Sequence, residues 1–122
     1  MTQQNRETLL ALADRAEKAT GDSFDLNHAI ALALGLPSEP FSASLDAAMS
    51  LVPEGWNWMA GNRDQPLARA YVNNGQPHFT GAAARRNPAC LWFETTAPTP
   101  ALALCAAALR ARATLDLDGE KA

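Results

Sequence analysis

The sequence predicts an α+β fold: a three-stranded antiparallel sheet covered by helices on both faces (an α/β/α sandwich), in a single domain over residues 1–122. Segments with apolar residues at helical spacing lie towards both ends of the chain, and between them three short segments alternate in polarity. A three-stranded meander buries too little surface to be stable alone. Because both faces of these strands carry apolar residues, we expect helices on both sides.

Four helices are predicted from the spacing of apolar residues and from capping residues at their ends. The predicted ranges are about 5–19, 26–34, 43–52 and 100–115. The candidate N-caps are, in the same order, Thr2 or Asn5, Asp25, Ser42 or Ser44, and Thr99. Gly21 and Gly35 are suited to end the first two helices, because glycine adopts the left-handed conformation without a penalty. The second helix is apolar nearly all round, so we expect it to be largely buried.

The closing helix has the clearest start in the sequence. Thr99 can accept a hydrogen bond as N-cap, and Pro100 fits the first helical position, where a missing N–H costs nothing. Its broad apolar arc predicts a helix packed between two neighbours rather than against one. The arc contains Leu102, Leu104, Cys105, Ala106, Ala108, Leu109, Ala113 and Leu115. Arg110 and Arg112 are expected in its last turns, where they complement the helix dipole, and residues 116–122 are expected to form a frayed polar tail.

Three strands are predicted over about 56–60, 67–73 and 90–95, where apolar and polar residues alternate. The loop over residues 61–66 is suited to a hairpin, so the first two strands are expected to pair antiparallel. Residues 73–89 are the irregular part of the chain, and long loops in compact domains are often functional or mobile. On the second strand we expect Ala68, Ala70 and Val72 on one face and Leu67, Arg69 and Tyr71 on the other.

Composition excludes several classes of protein. Hydrophobic residues make up 48% of the chain, which argues against disorder, and the net charge of −3 gives no general attraction to nucleic acid or anionic lipid. The longest apolar run, Ala101 to Leu109, is about half of the ~20 residues that a membrane span needs. The first residues lack the pattern of a signal peptide, so a cytoplasmic protein is expected.

Motifs for cofactors and metals are missing from the sequence. It contains neither a phosphate-binding loop nor a dinucleotide fingerprint, so no cofactor is predicted. The residues His28, His78, Cys90 and Cys105 are scattered without metal-ligand spacing, so no metal is predicted. His28 is interpreted as a core or edge histidine, and the two cysteines as small buried hydrophobes.

Five residues form the candidate binding site. His78 lies in the irregular loop and is the best candidate for a catalytic base, although no nucleophile motif accompanies it. Arg85 and Arg86 could clamp a phosphate, a carboxylate or an acidic surface, or could simply be solvated. Arg69 and Tyr71 on the second strand could contribute to the same surface. Aromatic residues on the strands could also stack on bases, but too few cations surround them to favour nucleic acid.

Two segments carry a family resemblance. The first is FSASLDAAMSLVPEGW over Phe41–Trp56, and the second is ETTAPTPALALCAAALRARA over Glu94–Ala113. In this order, and with the helical segment Leu9–Gly21, they resemble the phage ABA sandwich domain. The resemblance implies a phage or prophage origin and α/β/α layering. It implies no active site, because the family has no established activity. The matched residues resemble fold determinants: caps, turns and core positions.

Three functions remain open at this level. The first is a phage accessory protein that has no catalytic activity and acts by binding a protein partner or a second copy of itself. The second is an inhibitor of a bacterial anti-phage defence system, which binds a defence protein or sequesters a small signalling nucleotide. The third is a small enzyme that uses His78.

Overall fold

The computed structural model describes residues 2–20, 23–53, 55–61, 67–73 and 92–121. Its elements in chain order are α1 (Thr2–Lys18), α2 (Phe24–Leu34), α3 (Leu45–Met49), β1 (Asn57–Gly61), β2 (Ala68–Asn73), β3 (Trp92–Ala97) and α4 (Pro100–Lys121). The three strands form one sheet in the order β1-β2-β3, and both pairs are antiparallel. Helices pack against this sheet, so the predicted α+β class is confirmed.

The two faces of the sheet differ. Ala68, Ala70 and Val72 of β2 are buried on the face against α4, where the Thr95 hydroxyl donates to the carbonyl oxygen of Ala103. The opposite face carries polar and exposed side chains, and Met59 on it is 56% exposed. In the described ranges, α4 and α1 are the helices with several contacts to the strands. The predicted cover is therefore seen on one face in this part of the chain.

Helix α4 lies at the centre of the fold. It contacts α1, α3 and all three strands, and every side chain from Ala101 to Leu109 is buried. The backbone N–H of Leu102 donates to Thr99 Oγ1 at 3.2 Å, which confirms the predicted N-cap before Pro100. The prediction that α4 lies between neighbours is also confirmed.

The predicted end of α4 was wrong. The helix continues to Lys121, so residues 116–121 are helical and Arg110 and Arg112 lie in its middle rather than in its last turns. Polar residues do not by themselves end a helix, because its hydrogen bonds join backbone groups whatever the side chains are.

Both arginines of α4 tie it to neighbouring segments. Arg110 bonds Glu17 through Nε at 3.1 Å and Nη2 at 2.6 Å, and bonds Asp14 through Nη2 at 2.8 Å. Burial lowers the pKa of Arg110, but the hydrogen bonds to Glu17 and Asp14 outweigh it, so that its pKa is raised. Arg112 donates from Nε to the carbonyl oxygen of Leu51, and burial lowers its pKa.

Helix α2 begins at a different cap from the predicted Asp25. Ser23 has extended backbone angles, and its hydroxyl accepts from the N–H of Leu26 at 3.2 Å. Asp25 instead lies in the first turn, where a carboxylate faces the positive end of the helix dipole. The predicted stop is confirmed, because Gly35 has φ of 66° and the N–H of Leu36 reaches back to the Ala31 carbonyl oxygen at 3.0 Å.

Helix α3 is shorter than its predicted range of 43–52. Ser44 is its N-cap, accepting from the N–H of Ala47 at 3.2 Å, as one of the two predicted choices. The helix ends at Met49, where the hydroxyl of Ser50 bonds the Ala47 carbonyl oxygen and closes the last turn.

The other predicted cap, Ser42, has a long-range role. Its backbone N–H donates to Asn27 Oδ1 at 2.8 Å, and its hydroxyl accepts from the N–H of Ser23 at 2.7 Å. The same hydroxyl donates to the Ser23 carbonyl oxygen at 3.3 Å. These bonds, which we call the Ser42 clamp, hold the segment before α3 against the start of α2.

Candidate functional site

The structure places two of the five predicted site residues. Arg69 and Tyr71 lie on β2, on the sheet face opposite α4. His78, Arg85 and Arg86 lie outside the described residues. The predicted site is therefore described only where it reaches the sheet.

Tyr71 is half of an aromatic pair on this face. Its ring stacks on Trp92 of β3 with centroids 4.5 Å apart and planes 20° apart. The two residues are diagonal neighbours, because Tyr71 pairs with Glu94 in the ladder and Asn73 pairs with Trp92. Aromatic stacks of this kind stabilise a sheet by more than the burial of their apolar area alone. A structural role therefore accounts for the pair.

Arg69 is held by a carboxylate. Its Nε lies 3.5 Å from Glu94 Oε2, and the other oxygen of Glu94 accepts from Trp92 Nε1 at 3.2 Å. A shallow depression of about 520 Å³ beside these residues is also lined by Glu17, Thr95 and Thr96. Among the described residues that line it, the guanidinium of Arg69 is already paired with Glu94, so this lining does not favour an anionic ligand such as a nucleotide.

A second surface, not singled out from the sequence, lies on α2. Phe24 is 76% exposed and Leu32 is 71% exposed, although α2 was predicted to be largely buried. His28 is exposed between them, and its ring stacks on Phe24 with centroids 6.3 Å apart and planes 6° apart. Phe24, His28 and Leu32 recur every fourth residue, so they share one side of the helix, which we call the α2 face.

The reason for this error is visible in the packing. Helix α2 buries Leu26, Ile30 and Ala31 on its inner side, and its main contact is with α1. Within the described residues, no element packs over its outer side. When a helix is apolar nearly all round, its sequence does not show which side lacks a neighbour. The only available signal was the spacing of four between Phe24, His28 and Leu32, which places them on one side of the helix.

A groove borders this region, between the end of α2 and α3. It has a volume of about 460 Å³ and opens to solvent. We call it the α3 groove, and it is lined by Leu36, Pro37, Glu39, Pro40, Phe41, Ser44, Asp46, Ala47 and Ser50. Its floor is apolar and its exposed carboxylates are Glu39 and Asp46.

The described side chains offer little for catalysis. Cys105 is a free thiol, fully buried, and donates to the Phe41 carbonyl oxygen at 3.0 Å. Burial raises the pKa of Cys105 to about 12, so it stays protonated at neutral pH and is a poor nucleophile. Across the described ranges, no three His, Cys, Asp or Glu side chains are grouped to hold a metal ion. None of the helices, where described, is long and apolar enough to cross a membrane.

Comparison of the chain with protein-family models, with curated protein sequences and with solved structures finds no match.

Proposed function

We propose that this protein acts by binding another protein through the α2 face, and that it does so without catalysing a reaction. The observation that carries the proposal is the exposure of Phe24 and Leu32, two large apolar side chains on the same side of one helix. Exposed apolar side chains that form a patch mark binding surfaces, and an amphipathic helix is a common means of recognition.

The hydrogen bonds around α2 hold this helix, and therefore the α2 face, in a fixed position. Ser23 caps the start of α2, Gly35 ends it, and the Ser42 clamp fixes its first turn to the following segment. A helix held in this way loses little conformational freedom when a partner covers its outer side, which favours affinity. A second copy of this chain is one partner that this surface could accept.

The resemblance to the phage ABA sandwich domain supplies the biological part of the proposal. We infer a phage- or prophage-encoded accessory protein that acts in the cytoplasm of the host cell. An inhibitor of a host defence protein would be one form of the same binding activity. No feature of the described residues favours sequestration of a nucleotide, because Arg69 is already paired with Glu94.

Site-specific photocrosslinking tests the proposal. A benzophenone amino acid is placed at position 32 of the full chain, and in a matched protein at position 11, where Ala11 is exposed on α1. In bacteria that carry the gene, position 32 should give a discrete adduct that position 11 does not give. Phe24→Ser in the same protein should remove that adduct.

The opposite result is equally clear. If positions 32 and 11 give the same adducts, and if sedimentation shows a monomer at the highest concentrations tested, the α2 face is not a binding surface. Mass spectrometry of the adduct would distinguish a second copy from a host protein.

A further inference from the structure

The charges of this chain are unevenly distributed along it. All ten lysines and arginines lie outside residues 19–62. That range contains five acidic residues, namely Asp22, Asp25, Glu39, Asp46 and Glu54. It also contains α2, α3 and the segment between them, so the α2 face and the α3 groove both belong to the acidic part of the sequence.

Among the described residues, no basic side chain lines the α3 groove. None of its nine lining residues is basic, and Glu39 and Asp46 form no ion pair within the described residues. Arg15 and Lys18 line a different depression, at the start of α2. Arg112 is directed to the Leu51 carbonyl oxygen. Within the described residues, the groove therefore combines an apolar floor with two carboxylates at its mouth that form no ion pair.

The groove is also pre-formed. Phe41 in its floor is fully buried, and its carbonyl oxygen accepts from the Cys105 thiol at 3.0 Å. The next residue, Ser42, is held by the Ser42 clamp. The N–H groups of Ala43 and Ser44 both reach back to the Pro40 carbonyl oxygen, at 3.0 and 2.9 Å. Because the walls are already fixed, a ligand would not have to order them.

We infer that the α3 groove receives an apolar side chain of a partner protein that carries lysine or arginine beside it. The floor matches the apolar side chain, and Glu39 and Asp46 match the cations. The acidic surround disfavours nucleic acid and anionic membranes. The inference rests on the proposed function, since it names the chemistry of the partner that this protein would bind.

The experiment uses the full chain and two fluorescent octapeptides with the same leucine pattern. One peptide carries lysine at its polar positions and the other carries glutamate. The lysine peptide should bind at least about tenfold more tightly at 0.15 M salt, and the difference should shrink as salt is raised. Amide shifts in NMR spectra should include Leu36 and Ala47, which line the groove.

Two variants of equal net charge make the test specific. Ser50→Lys adds a cation at an exposed position in the groove, and Ala11→Lys adds one at an exposed position on α1. Ser50→Lys should weaken binding of the lysine peptide by about fivefold or more, whereas Ala11→Lys should change it by less than about twofold. Thermal melting of both variants would confirm that each is folded.

Equal binding of the two peptides, or an equal loss in both variants, would overturn the inference. If the crosslink at position 32 persists in that case, binding through α2 stands and only the basic character of the partner is wrong. If crosslink and peptide binding are both missing, the proposed function fails as well.

Discussion

Helices α2 and α4 are both rich in apolar residues, but the described part of α4 is largely buried and α2 is exposed on one side. Helix α4 is surrounded by α1, α3 and the sheet, and its side chains from Ala101 to Leu109 are all buried. Helix α2 packs mainly on α1 and leaves Phe24 and Leu32 exposed. Burial of an apolar helix is therefore decided by the number of its neighbours, and the side of α2 that no described element covers is the side we propose for binding.

The largest expected effect comes from the centre of α4. Leu109 is fully buried, so Leu109→Ala should lower the free energy of unfolding by about 2–5 kcal/mol through lost burial and a residual cavity. Urea denaturation measures the change. The matched control is Leu32→Ala on the exposed side of α2, and a similar loss in both variants would contradict the contrast between the helices.

The second prediction concerns the Ser42 clamp, which holds the start of α2. Ser42→Ala removes the hydroxyl that accepts from the Ser23 N–H and donates to its carbonyl oxygen. Leaving these groups without partners should cost about 1–3 kcal/mol of stability. Hydrogen exchange should become faster at the start of α2. Ser38→Ala, at an exposed position in the same segment, should have little effect on either measurement.

A third effect concerns pH and the buried thiol of α4. Burial raises the pKa of Cys105 from the ordinary 9.0 to about 12. Below pH 9 the thiol of Cys105 is protonated in both the folded and the unfolded chain. Between pH 9 and 12 the thiol loses its proton in the unfolded chain but keeps it in the folded chain. Stability should therefore fall as pH rises from 9 towards 12, by about 1.4 kcal/mol at pH 10 from this group.

The measurement is urea denaturation at pH 8, 9 and 10 for the wild type and for Cys105→Ala. The variant is expected to be less stable throughout, but its stability should depend less on pH over this range. Parallel pH curves for the two proteins would show that the thiol is not the group responsible.

The smallest expected effect on stability is on the α2 face. Phe24→Ser and Leu32→Ser remove exposed apolar groups, so each should change the free energy of unfolding by less than about 0.5 kcal/mol. Phe24→Ser should act on binding instead, as loss of the partner adduct formed from position 32. A large loss of stability in either variant would mean that these side chains are packed in the native protein.

Local signals predicted the parts of the fold that depend on a few adjacent residues. Thr99 with Pro100 starts α4, Gly35 ends α2, and the alternation of β2 gives the correct faces, because each depends on backbone geometry within about one turn. The Ser42 clamp joins residues 19 apart in sequence, and no local pattern specifies that pairing. The cap of α2 is a local feature, since Ser23 accepts from the N–H of Leu26 three residues later, but Ser23 and Asp25 are both residue types that cap helices and residue type does not distinguish them.

The candidate site was less predictable than the fold. Arg69 and Tyr71 were placed on the correct strand, but their partners Glu94 and Trp92 come from β3 and depend on strand register. The α2 face depends on the absence of a neighbour among the described elements, which composition does not encode. Predictions based on residue type find charged and aromatic side chains, whereas this surface is recognised only after its surroundings are known.

The central position of α4 also has a consequence for how the chain acquires its fold. Helix α4 follows α1–α3 and β1–β3 in sequence, and its contact with α1 joins residues 93 apart through Arg110 and Glu17. During synthesis α1–α3 and β1–β3 leave the ribosome before α4 does. Until α4 emerges, the apolar sides that pack against it stay exposed. Folding of high contact order is slow. We therefore expect nascent chains that stop before Pro100 to be captured by chaperones, and we expect resistance to proteolysis only in chains that include the whole of α4.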